Sequence, residues 1–182
     1  MNHPLIDIFD NAVLAWGLIA CGVAQLSKLL IELVAHRRWR PSVLIETGGM
    51  PSSHSALMTG TSAGIGWLHG FGDPLFALAA TITFIILYDA SGVRRAAGLT
   101  AARINQLPAS LWSQDVTNPE TASVGGSHWP LKENLGHTRR EVLIGCLIGP
   151  AVALVGLALV GSPLHLYQLL TQTAAPLPLS LG

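Results

Sequence analysis

An all-α integral membrane helical bundle, with about four to five transmembrane helices, is the fold class this sequence predicts. Three observations carry that prediction. Charged residues make up 11% of the chain against 50% hydrophobic, where soluble domains carry about a quarter charged residues. Uncharged stretches approaching the roughly 20 residues of a bilayer crossing recur along the chain. Between them the cations gather in short clusters. At 182 residues the chain is most simply one domain, 1–182, with its membrane core over about 11–160.

The first crossing rests on Asn11 to Ser27, which carry no formal charge, and its helix is expected to reach Ala35. Gln25 and Lys28 stand three apart and so share a face near its end. A lysine there either snorkels to the headgroups or aims at an interior anion. His36 to Pro41 form a basic loop with an interfacial tryptophan, Trp39. Ser55 to Gly72 read as a second span, closed by Asp73-Pro74, where Pro74 suits the first turn of a third helix. That third helix runs from Leu75 through Leu87 and on to Ala90.

Asp89 to Asn105 keep a helical composition but gain three arginines, which predicts a helix leaving the membrane or lying on its surface. Arg94 and Arg95 point about 100° apart, so one can face a ligand while the other meets lipid phosphates or solvent. Residues 106–130, rich in Pro, Ser, Thr, Asn and Gly, predict a long loop. Leu131 to Glu141 then lead into Val142–Val160, an uncharged span of membrane length, and 163–182 read as an interfacial tail.

The formal net charge is zero, and the small basic clusters lack the aromatic interleaving of a nucleic-acid binder. Cys21 and Cys146 lie in apolar spans and imply no disulfide framework. Met1 to Asp10 hold two aspartates and no basic n-region, so the first span is expected to remain as an anchor. With four crossings, Arg37, Arg38, Arg40, Arg94, Arg95, Arg103, Lys132, Arg139 and Arg140 share one side. The positive-inside rule places that side in the cytoplasm of a cell (inner) or organelle membrane. His3, His69, His128 and His165 have no suitable companions and read as background.

The stretch that organises the chemistry is Thr47 to Ala56. Gly48, Gly49 and Pro51 make an exposed turn, Ser52 and Ser53 can cap a helix, and His54 falls in its first turn. Unpaired N–H groups and the positive dipole end suit an anion, and an imidazole beside it can protonate a leaving oxygen. An ordinary helix cap with an incidental histidine is the plain alternative. On the same membrane face fall Gln25/Lys28/Arg40, Asp89/Arg94/Arg95 and Lys132/His137/Glu141. Two imidazoles, several cations, a helix N-terminus and a carboxylate four residues after one histidine make a phosphoryl-transfer set without a metal.

Three motifs, Gly48 to Ala56, Tyr88 to Gly98 and Leu135 to Val142, resemble the divergent PAP2 family, a small membrane branch related to type 2 phosphatidic acid phosphatases and vanadium haloperoxidases. The resemblance implies a PAP2-like bundle. It also implies that Pro51-Ser52-Ser53-His54 stands for Pro-Ser-Gly-His, with His54 as general acid. His137 and Glu141 stand for His-x-x-x-Asp, with His137 as the nucleophile and Glu141 as its partner. Lys28 and Arg40-Pro41 resemble Lys…Arg-Pro at a longer spacing than usual. The Ser-Arg expected upstream of the nucleophile is absent, since Leu131 stands six residues before His137. Lys132, Arg94 or Arg95 would supply that cation. Phosphate binding is thus assigned to Lys28, Arg40, Ser52, Ser53, Arg94, Arg95 and Lys132, and support to Gln25 and Asp89. Thr138-x-x-Glu141 is also a capping box, so Glu141 has a structural reading beside the catalytic one.

The function expected is hydrolysis of a lipid phosphate or isoprenoid (di)phosphate through a phosphohistidine, with no cofactor and no metal. Membrane lipids are the expected partners, nucleic acid is not, and homo-oligomer formation is left open. Two rivals belong to other classes. One is a non-catalytic anion-binding or transport protein on the same scaffold. The other is a metal-dependent hydrolase with His54, His137 and Asp89 as ligands.

Overall fold

Most of the helix starts carry a cap or a breaker. The computed structural model describes residues 10–35, 37–44, 48–108 and 130–162, with Ile8, Tyr167 and Thr171. Its elements are α1 (Ala12–Ala35), a 3-10 turn (Pro41–Leu44), α2 (Ser53–His69), α3 (Pro74–Ser91), α4 (Val93–Asn105) and α5 (Arg139–Leu159), with no strand among the described residues. Most of the 106–130 loop and 163–182 tail, with His3, His128 and His165, lies outside the described residues.

The Asn11 carboxamide accepts from the Leu14 N–H at 3.0 Å, starting α1 where the uncharged stretch begins. Ser52 caps α2, and Gly70, at φ 95, ends it in a backbone region that side chains other than glycine's resist. Asp73 caps α3 through a 2.7 Å bond from the Leu75 N–H, with Pro74 in the first turn. Gly92 then breaks the chain, so the arginine-bearing stretch forms its own helix, α4, instead of extending α3.

Contacts between elements fix the topology. Ser52 N–H donates to the Glu141 carbonyl at 3.1 Å, joining the start of α2 to the start of α5. His137 N–H reaches the Ala90 carbonyl at 2.9 Å, bringing the end of α3 there too. At the far end Trp16 Nε1 donates to the Gly161 carbonyl at 2.8 Å, linking the start of α1 to the end of α5. α1 and α3 therefore end where α2 and α5 begin.

α2 is the central helix. A Cβ on Gly60 would lie 3.0 Å from the Gly149 carbonyl oxygen, and one on Gly149 would collide with the Ala56 carbonyl and 2.7 Å from the Gly60 nitrogen. The backbones of α2 and α5 thus touch with no side chain between them, as small residues permit in membranes. Gly17 admits Thr61 and Leu57 of α2, and Gly156 admits the Trp16 ring. α3 joins α2 differently, through a Ser62–Thr83 hydroxyl pair at 2.7 Å and a Thr83 hydroxyl bond to the Met58 carbonyl at 3.3 Å.

The distribution of side chains is inverted relative to a water-soluble protein. Ala20, Ala24, Ala56, Ala90, Ala101 and Ala153 are buried, while Phe84 is 75% and Leu159 79% exposed. Small residues inside and large apolar ones outside mean that lipid takes the outer face. α1, α5 and the continuous stretch Pro74–Asn105 are long and apolar enough to cross a bilayer. α2, at 17 residues, is shorter than the second span read from the sequence, because Ser52-Ser53 begin it and Gly70 ends it early. It still runs the length of the bundle, since Gly64 near its end meets Val13 and Leu157.

Gly149→Val would force a branched side chain onto the α2 backbone, at or above the ~3 kcal/mol end of the overpacking range. Its thermal midpoint in detergent should fall well below wild type, whereas Leu143→Ala on the lipid face should leave it nearly unchanged. Equal midpoints for Gly149→Val and wild type would contradict the close helix contact.

Candidate active site

The site is assembled from four helix ends and one short extended segment. His54 is the second residue of α2, and His137 stands just ahead of the Thr138 cap of α5. Their ring centroids are 6.5 Å apart and tilted by 55°. Lys28, on the last third of α1, is 3% exposed. It is buried within the protein instead of snorkelling to the headgroups, and its charge acts on both rings.

Glu141 serves both of its sequence readings with one oxygen. Its Oε2 accepts from the Thr138 N–H at 3.0 Å while the Thr138 hydroxyl accepts from the Glu141 N–H at 3.3 Å, completing the capping box. The same Oε2 lies 3.1 Å from His137 Nδ1. A carboxylate at Nδ1 holds the proton on that nitrogen and leaves Nε2 with the lone pair. Nε2 is buried and has no hydrogen-bond partner among the described residues. Burial presses the His137 pKa below its ordinary 6.5, and the charge of Lys28 adds to that. The hydrogen bond and charge of Glu141, with the backbone of Gly49, push the other way without reversing it.

A cavity of about 290 Å³ opens beside the two rings, far larger than the share of one water molecule. Arg94, Lys132 and Asp89 give it charge; Ile86, Ala90 and Leu135 give it an apolar wall. Arg94 Nε is already 2.6 Å from Asp89 Oδ2 at the exposed rim. A second, polar cavity of about 280 Å³ lies on the other side of the Leu135-Gly136 segment, with Arg95, Glu133 and Glu141 among its walls. Arg94 and Arg95 thus face different cavities, and Arg94 faces the histidines.

Several residues assigned to phosphate binding are not brought to the cavity beside the histidines. Arg40 is about half exposed and stands 4.0 Å from Glu32. Ser52 is fully buried, its hydroxyl accepting from the Ser55 N–H at 3.3 Å and the Ser55 hydroxyl at 2.8 Å. Ser53 is buried at the start of α2. Gln25 donates to the Leu44 carbonyl at 2.9 Å, pinning the 3-10 turn to α1. Among the described residues no three His, Cys, Asp or Glu side chains form a metal-ligand set, so the trio of His54, His137 and Asp89 does not assemble as one.

What sequence reasoning missed is the support of His137. The extended chain from Leu131 to His137 lies along α4. Gly98 gives way to the Glu133 and Leu135 backbone, and Gly136, at φ 76, sits against the backbone of Arg94 and Arg95. The signal available was Gly98 on one apolar-poor helix and Gly136 beside a histidine.

A family model described as the Divergent PAP2 family matches residues 9–152. The chain belongs to the Divergent PAP2 family. A relative in Bacillus subtilis (strain 168), the uncharacterized membrane protein YuiD, is 37% identical over 152 residues, covering 82% of this chain and 96% of its own. No solved structure matches. The Divergent PAP2 match spans both histidines, the cavity, α1 to α4 and the first part of α5.

Titration of the His137 imidazole by nitrogen NMR should give a pKa below the ordinary 6.5 in the wild type. Glu141 favours the protonated ring, so Glu141→Gln should move it lower still. A value at or above the ordinary one, or an upward shift in the variant, would contradict this account of the pair.

Proposed function

We propose that this Divergent PAP2 protein is a membrane phosphatase that hydrolyses a lipid phosphate or isoprenoid (di)phosphate through a phosphohistidine. The observation that carries the reading is His137 Nε2, a buried imidazole nitrogen without a partner among the described residues, beside a second imidazole and cations. The Nε2 lone pair attacks phosphorus as the bond to the leaving oxygen breaks, and His54 gives that oxygen its proton. Water then attacks the phosphohistidine, His54 takes the water's proton, and the P–N bond breaks to release phosphate and restore His137. Lys28, Lys132 and Arg94 balance charge on the non-bridging oxygens, and Glu141 keeps the His137 proton on Nδ1. No step draws on a metal ion. The apolar wall of Ile86 and Leu135 beside the charged rim suits a substrate with a phosphate head and a hydrocarbon tail.

The basic clusters of Arg37, Arg38, Arg40, Arg94, Arg95, Lys132, Arg139 and Arg140 lie at the end of the bundle that holds the histidines, which supports a site on the cytoplasmic face. A second reading, anion binding or transport without turnover, is favoured by two observations: Leu131 stands where the Ser-Arg cation would be, and Arg94 is already engaged by Asp89.

Purified protein in detergent should release inorganic phosphate from a phosphatidic acid or prenyl phosphate in the presence of a chelator. His137→Ala should abolish release, and His54→Ala should slow it by about 10²- to 10⁴-fold, the usual range for a lost general acid. Undiminished release from His137→Ala would end the nucleophile assignment. Anion binding that survives either substitution, with no turnover in the wild type, would select the second reading.

A further inference from the structure

The amide of Asn105, the last residue of α4, is committed to the chain that leads to His137. Its Oδ1 accepts from the Leu131 N–H at 2.8 Å, and its Nδ2 donates to the Leu131 carbonyl at 2.8 Å and to Glu133 Oε1 at 2.8 Å. Asn105 therefore holds the residues on both sides of Lys132 and leaves Lys132 itself untouched. The two neighbours part company at the cavities: Lys132 lines the one with the histidines, and Glu133 lines the one behind.

We propose that Asn105 is a positioning residue for Lys132, fixing the register in which a cation and not a carboxylate faces the phosphate cavity. A slip of one residue would exchange Lys132 for Glu133 and reverse the sign of that wall. Leu131 stands where the Ser-Arg motif would supply a cation, so the next residue supplies it and needs something to hold it there. The rest of the segment is seated independently: Gly98 meets the Glu133 and Leu135 backbone, Gly136 meets that of Arg94 and Arg95, and the His137 N–H binds the Ala90 carbonyl. The far end is held by a side chain, that of Asn105.

The inference rests on the reading of the cavity as a phosphate site, and its test uses binding instead of turnover. Wild type, Asn105→Ala, Lys132→Ala and the double variant are purified as full chains in detergent. Orthovanadate affinity is measured by calorimetry, and the thermal midpoint of each is recorded. Lys132→Ala should weaken binding by about tenfold and Asn105→Ala by about fivefold, with Asn105→Ala adding less than about 1.5-fold once Lys132 is gone. Asn105→Gln, which keeps the amide on a stem one methylene longer, should fall between wild type and Asn105→Ala; it replaces Asn105→Ala in the cycle if that variant does not fold. Full affinity in the Asn105 variants, or a fivefold loss repeated intact in the Lys132→Ala background, overturns the positioning role while the cavity reading stands. A wild type that binds no orthovanadate overturns both.

Discussion

Oε2 of Glu141 lies within 3.1 Å of both the Thr138 N–H and His137 Nδ1, and through it the start of a membrane helix and the state of an imidazole become one problem. An unpaired carboxylate would be expensive near the bilayer, and an unpaired helix N-terminus leaves donors unmet. Each relieves the other. The imidazole gains an orientation from the same oxygen, because a proton held at Nδ1 leaves the opposite nitrogen bare. Fraying α5 by one turn would therefore cost a cap, a hydrogen-bond partner and a tautomer together.

The distance between the two imidazoles inherits its precision from glycine. Gly145 lies one turn beyond Glu141, and a Cβ there would collide with the Ser52 carbonyl. Ser52 in turn caps the helix that carries His54 and donates its N–H to the Glu141 carbonyl. The 6.5 Å between the rings is thus set by backbone touching backbone, which is stiffer than contact through long side chains. A large side chain at this interface would move the rings apart as well as the helices.

The spans of α1, α3 and α5 were legible because lipid demands long uncharged stretches, and Asp73-Pro74 and Thr138-x-x-Glu141 announced two helix starts by their capping chemistry. Which side of a helix a cation takes was not legible. Lys28 is consistent in sequence with either burial or snorkelling, and only the packing of α1 against α2 and α5 decides for burial. Arg40 stands beside Glu32, a partner eight residues back that a motif-based reading does not weigh. Arg94 and Arg95 were separable in principle by their 100° offset, but the Gly92 break fixes the rotation of α4, and no periodicity predicts that angle. Asn105 escaped notice because an asparagine near a helix end reads as a terminator, and its partners lie 26 and 28 residues on.

α3 is attached to α2 partly through polar side chains. α1, α2 and α5 meet through glycines, while α3 is tied to α2 by a hydroxyl chain, Ser62 donating to Thr83 and Thr83 to the Met58 carbonyl, as well as by Phe76 against Gly66. Yet α3 supplies Ile86, Asp89 and Ala90 to the cavity wall, and its outer face carries Phe84, Ile85 and Tyr88 toward lipid. One helix is thus the partition between the hydrocarbon phase and the polar chamber.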